Sequence, residues 1–157
     1  MFEQFDKVTP ADLAEKVREA ADNQYEETPA GHYIAKIEKM ELGLTNDKKR
    51  PMFRVQMRLI SSDGEKEDAY LKKFKKAKPC IFMNRVLLGT KNDGNMIGSV
   101  VSWLNKLVND SENPVVFTTY SEFAEEILDI AEDFADAEIA VEYDPGKFNS
   151  ISIVEVY

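Results

Sequence analysis

Residues 53–59 decide most about what this chain can fold into, because Phe53, Val55, Met57 and Leu59 alternate strictly with Arg54, Gln56 and Arg58. A period of two sends successive side chains to opposite faces of a strand. The segment therefore needs a sheet with one face in a core and the other in water, and the wet face carries two guanidiniums. They belong to a wider basic block. Residues 29–100 hold 15 Lys+Arg against 8 Asp+Glu, whereas residues 1–28 hold 3 against 8 and residues 101–157 hold 2 against 13. A net charge of −9 would argue against a nucleic-acid partner, but a partner feels the local field rather than the sum. Because the basic block coincides with the best strand patterns, it is a candidate for a charged sheet face rather than a disordered tail.

The flanking segments complete the element order. Thr9 is placed to cap a first helix, with Pro10 at its first position and Leu13, Val17 and Ala20/Ala21 as a thin apolar stripe; Asp22 to Pro29 breaks it. Residues 1–28 thus read as an acidic helical arm and residues 29–157 as the main domain. His32 to Leu42 is a strand candidate of mixed phase. Tyr33, Ala35 and Ile37 share one face while Ile34, Lys36, Glu38, Met40 and Leu42 share the other, which predicts a long, bent or bulged strand with two packing environments. A polar turn (Thr45 to Lys49), the alternating strand, a lysine-rich loop or hairpin extension over 65–78 and a third strand from Cys80 to Leu88 follow. Helices are expected from Met96 to Val108 and from about Thr119 to Phe134, where Thr119 and Glu122 stand at capping-box spacing. A hairpin turning at Asp144-Pro145-Gly146 closes the chain. Three strands, a helical connection and a two-strand hairpin is the order of the OB-fold, a five-stranded Greek-key barrel. The expectation is a mainly β domain of that type, with a helical insertion between strands 3 and 4.

Length and composition exclude several classes. At 157 residues one domain with a real core is expected. No run is long enough to span a bilayer and the N-terminus lacks a signal-sequence pattern, so a cytoplasmic location is expected. One cysteine, Cys80, forms no internal disulfide, and one histidine, His32, leaves a Cys/His zinc site without ligands. No cofactor is indicated. Nucleophile-elbow, phosphate-loop and metalloprotease patterns are missing, and consecutive helical acids such as Glu125-Glu126 point in different directions, so the chain reads as non-enzymatic.

Several blocks resemble a known family. Pro29-Ala30-Gly31-His32-Tyr33, Lys36 to Leu42, Arg50-Pro51-Met52, Cys80 to Asn84 and the closing Val141-Glu142-Tyr143 and Ile153 to Val156 are similar to phage proteins long filed as a domain of unknown function. Those proteins are related to phage single-stranded DNA-binding proteins. The likeness extends over most of the chain and implies an OB-fold that binds single strands in phage replication or recombination. One departure stands out: the family's first turn tends to contain a Ser-Lys-x-Gly-like sequence, whereas Thr45-Asn46-Asp47-Lys48-Lys49-Arg50 has no glycine.

Single-strand binders combine cations that follow phosphates with aromatic platforms for the bases. Tyr70, Lys72, Lys73, Phe74, Lys75, Lys76 and Lys78 offer both within nine positions; Arg54 and Arg58 extend the field, and Lys36, Lys48, Lys49 and Arg50 border it. The plain alternative is a solvated loop whose lysines serve solubility. On the third strand, either Phe82 and Asn84 or Arg85 faces a ligand, and Phe82 fits a core equally well. Trp103, Tyr33, Phe53, Tyr143 and Phe148 are assigned to packing or the barrel edge. The acidic helix is the wet face of an amphipathic element, a shield against misplaced strands, or a dock for a recombinase or replication partner. The second functional reading is accordingly an OB-fold protein-interaction module using that helix. Oligomeric state is left open.

Overall fold

The alternating segment lies in β2 (Pro51–Ser61), with Phe53, Val55, Met57 and Leu59 all buried. β2 pairs antiparallel with β1 (Gly31–Leu44) on one side and β3 (Cys80–Val86) on the other. β4 (Glu138–Asp144) adds to the first half of β1, and β5 (Ser150–Val156) adds to β4. The result is one five-stranded antiparallel sheet in the order β3-β2-β1-β4-β5. Among the described residues five α-helices accompany it: α1 (Glu3–Asp6), α2 (Leu13–Gln24), α3 (Glu65–Leu71), α4 (Asp93–Val108) and α5 (Tyr120–Asp133). The structure is a computed structural model that describes the backbone of residues 1–24 and 27–157 and the side chains of residues 1–18 and 27–157.

The mixed phase of the first strand is resolved by a bulge. Ile37 pairs with Met57 and Lys39 with Gln56, so Glu38 has no residue opposite it on β2. The extra residue flips the phase: Tyr33, Ala35 and Ile37 are buried before it and Met40 after it, while Glu38 and Lys39 are both exposed. A second shift leaves Ile60 unopposed on β2. One strand thereby pairs with β4 from Gly31 to Lys36 on one edge and with β2 from Ile34 to Leu44 on the other.

The inner face packs on two helices. Val100, Trp103, Leu104 and Leu107 of α4 and Phe123, Ile127 and Ile130 of α5 join the same core as the inner residues of β1 to β5. Thr119 caps α5 by accepting from the Glu122 amide at 3.2 Å, as the capping-box spacing predicts. Trp103 is buried edge-on to Phe53 with ring centroids 5.7 Å apart.

Four expectations are corrected. The sheet is open rather than closed, because β3 and β5 are its two edges. α4 lies at the gap, and side chains bond backbone carbonyls there. Trp103 Nε1 donates to Ile151 O at 2.8 Å, and Arg85 Nη1 donates to Phe148 O at 2.8 Å. Residues 65–71 form a helix, not a loop, because Tyr70 and Leu71 are apolar anchors that a helical turn carries into the core. The Thr9 hydroxyl donates back to Phe5 O at 2.7 Å, so it does not cap the next helix, which starts at Leu13 and runs on to Gln24. Leu13 and Val17 stay exposed, while Ala20 and Ala21 lie outside the described side chains. Phe148, expected at a packed edge, is 89% exposed, for its left-handed backbone (φ 57°) turns the ring out of the hairpin. No described helix is long and apolar enough to cross a membrane.

Replacing Trp103 with Phe keeps the ring but leaves the Ile151 carbonyl without its donor. Urea unfolding should show a loss of about 1–3 kcal/mol, the cost of an unsatisfied buried acceptor.

Candidate nucleic-acid interface

On the outer face, β1, β2 and β3 align polar side chains in three rows. Arg58 lies between Lys36 and Cys80, Gln56 between Lys39 and Phe82, and Arg54 between Glu41 and Asn84. Directly opposed side chains on one face of an antiparallel sheet are close enough to interact. The bulge adds Glu38 to this surface, and its carboxylate becomes the hub. Arg58 grips it bidentately, Nε to Oε1 at 2.7 Å and Nη2 to Oε2 at 3.0 Å, and Gln56 Nε2 donates to it at 3.1 Å. The bond from Arg58 holds the Glu38 carboxyl below its ordinary range, and the same bond raises the guanidinium. Arg58 also donates through Nη1 to Lys78 O at 2.5 Å.

Arg54 is held in a similar way. Its Nη1 lies 3.4 Å from Glu41 Oε1 and its Nη2 donates to Leu44 O at 2.5 Å. Gly43 makes room for that guanidinium, since a Cβ there would lie 3.2 Å from Arg54 Nη1. Lys39 pairs with Glu41 at 3.4 Å, and Lys36 approaches Asp136 at 4.0 Å. The outer face is therefore a lattice of paired charges rather than a bare cationic patch.

Phe82 is the aromatic on this lattice. It is 50% exposed and Asn84 is exposed with it, whereas Ile81 and Met83 are buried. The open choice on the third strand thus goes to Phe82 and Asn84 for the outer face, and Arg85 falls on the inner phase at the sheet edge.

Two basic flanks bracket the face along β2, whose eleven residues span roughly 35 Å at 3.2–3.4 Å each. At one end stands the β1–β2 turn. Thr45 N donates to Arg50 O at 2.9 Å and Arg50 N to Thr45 Oγ1 at 3.0 Å, with Lys48 and Lys49 exposed at the tip. Lys49 adopts φ +52°, a left-handed backbone in which glycine would be unstrained, so this turn forms without the family-like glycine. Arg50 turns aside, donating through Nη1 to Gly89 O at 3.3 Å.

At the other end lies the lysine-rich segment, and here the structure separates residues that the sequence grouped. Tyr70 is 8% exposed, its hydroxyl 2.9 Å from Thr28 Oγ1 and its ring edge-on to Phe74 at 5.2 Å. Phe74 packs against the core. Burial takes the Tyr70 ring out of reach of a ligand, which corrects its assignment as a base platform, whereas Phe74 is only partly buried. Lys78 Nζ donates to Leu71 O at 3.0 Å and Phe74 O at 3.3 Å, where a cation satisfies carbonyls after the last helical turn. Lys72 pairs with Asp68 at 3.0 Å along α3. Lys73 lines a separate groove beside Glu27, Pro29 and Tyr70. Lys75 and Lys76 are exposed. What the structure does join is a groove of about 470 Å³ between Lys36, Glu38 and Arg58 of the sheet and Ala77 and Lys78 of the segment.

Sequence reasoning missed Glu38, Glu41 and Gln56. The signal was present, two acids on the neighbouring strand, but it becomes readable only once the bulge fixes the register. Among the described residues no group of three or more His, Cys, Asp or Glu could hold a metal ion.

Because the Glu38 carboxyl is depressed in the folded protein, its pairing with Arg58 adds stability above the ordinary carboxylate range. That contribution is lost as pH falls through the lowered folded value. Urea unfolding across a pH series should show wild type more stable than Glu38→Gln near neutrality and the two converging in acid. A constant difference would assign the effect to shape rather than charge. Compared with known proteins, the chain matches no protein-family model and no curated protein sequence.

Proposed function

We propose that this chain is a non-enzymatic single-stranded DNA-binding protein of OB type that works through the outer face of β1, β2 and β3. The observation that carries the reading is Phe82, a half-exposed ring set among Arg54, Gln56, Arg58 and Asn84 on a face turned away from the core. A flat apolar ring on a wet sheet face offers a base a stacking partner, and neighbouring guanidiniums and amides offer phosphates and base edges donors. The exposed Lys48 and Lys49 at one end and Lys75 and Lys76 at the other supply cations along the path of a strand. The strand order and the approach of β3 and β5 across α4 support a Greek-key barrel whose closing joint is made by side chains. A role in phage replication or recombination rests on the sequence resemblance.

The negative helix stands clear of this face. α5 buries Phe123, Ile127 and Ile130 against the inner side of the sheet, so Glu122, Glu125 and Asp129 do not compete for the cations of β2. Glu38 and Glu41 do compete. A phosphate must displace a carboxylate from its guanidinium, which favours multivalent, flexible strands over isolated anions.

Titration of labelled oligo-dT at several salt concentrations tests the reading, with affinity expected to fall steeply as salt rises. No binding at low salt would overturn it and favour partner docking through α5. Phe82→Ala should weaken binding by about 1–3 kcal/mol with the salt slope kept. Lys48/Lys49/Lys75/Lys76→Ala should lower the slope of log affinity against log salt, by roughly 0.7 for each phosphate deprived of its cation. Glu38→Gln with Glu41→Gln should tighten binding, because the guanidiniums then have no carboxylate to exchange.

A further inference from the structure

The gap between the sheet edges holds a cleft of about 230 Å³ bounded by α4, β3 and β5. Its polar lining is Arg85, Lys106, Ser99, Ser102, Ser150 and Ser152, and among the described residues no carboxylate lines it. In a chain with 29 Asp+Glu, a cleft with two cations and no acid is a distinct electrostatic environment. Arg85 is the informative residue. Half-buried, it donates through Nη1 to the carbonyls of Asn84 and Phe148, both at 2.8 Å, and among the described residues no carboxylate pairs with it. This differs from Arg54 and Arg58, each matched with a glutamate. Burial alone lowers its basicity, with no anion to offset the loss. A guanidinium withdrawn from water without a counter-charge favours an incoming oxyanion, and its planar fork suits phosphate.

The rest of the lining fits the same ligand. Ser99 donates to Met96 O at 2.8 Å, leaving Ser102, Ser150 and Ser152 as hydroxyl donors beside the Lys106 ammonium. A volume of about 230 Å³ admits a phosphate group with some water, whose own share of liquid volume is about 30 Å³. Position matters as well. Arg85 and Phe82 lie on opposite faces of β3, and β3 is the edge of the sheet. A strand stacked on Phe82 that continues over that edge arrives at the cleft.

We propose that the cleft is a phosphate-binding subsite that takes one backbone phosphate of the strand as it leaves the outer face over β3. This rests on the single-strand reading for the source of the phosphate, not for the chemistry of the cleft. Trp103, the chain's one tryptophan, borders the cleft and reports on it.

The test follows the Trp103 indole N–H resonance while inorganic phosphate or, at matched ionic strength, chloride is added. Phosphate should shift it and chloride should not. Ser102→Glu, at an exposed helical position that tolerates the change, should abolish the response. With oligo-dT long enough to pass the edge, Lys106→Gln should lower the salt slope by roughly 0.7, while a short oligomer confined to the outer face should show no change. Equal responses to phosphate and chloride, or a phosphate response untouched by Ser102→Glu, would overturn the subsite. A Ser102→Glu-sensitive phosphate response in a protein that binds no oligo-dT would uphold the chemistry of the cleft and overturn the single-strand reading. Binding of long oligomers with an unchanged Lys106→Gln slope would overturn the strand as its source.

Discussion

A single unopposed residue, Glu38, organises the sheet and its outer surface together. By inserting one residue without a partner, β1 changes phase between Ile37 and Met40 and can bury both. Without that change, every apolar side chain from Met40 onward would turn to solvent, since a one-residue slip moves a whole strand's pattern to the other face. The same insertion delivers a carboxylate beside Arg58 and Gln56. Core packing and surface chemistry thus depend on one local irregularity.

The outer face that results is a set of paired charges rather than bare cations. Partly exposed ion pairs contribute little to folding, in the range of about 0–1 kcal/mol each, so their value lies elsewhere. Two carboxylates keep two guanidiniums oriented over the sheet, and on the proposed reading they are what an incoming phosphate would displace. Positive charge stays where β2 puts it.

Much of the sheet was legible because its causes are local. The alternation of Phe53 to Leu59, the capping pair Thr119 and Glu122, and the packing role of Trp103 each follow from spacing within one element, and each was found where spacing put it. The failures share another character. Tyr70 looked like a platform because lysines surround it in sequence, yet a helical turn carries it inward while Lys72, Lys75 and Lys76 stay exposed. Lys78 looked like a phosphate ligand and instead closes a helix end. Charge along the chain says nothing about which carbonyl lies within reach, and that information arrives only with three-dimensional register. That the sheet stays open was unreadable for the same reason, since where an indole N–H and a guanidinium meet the backbone of β5 and its turn is set only in three dimensions.

That joint bears on how copies of this protein behave when crowded. A sheet with two free edges is ordinarily a template for fibre growth, since a neighbour's backbone can zip onto unsatisfied acceptors. Here an indole and a guanidinium already hold acceptors on the β5 side, and α4 stands in front of the opening. Many molecules can therefore be ranked side by side at high local density with less risk of stitching into a cross-β array.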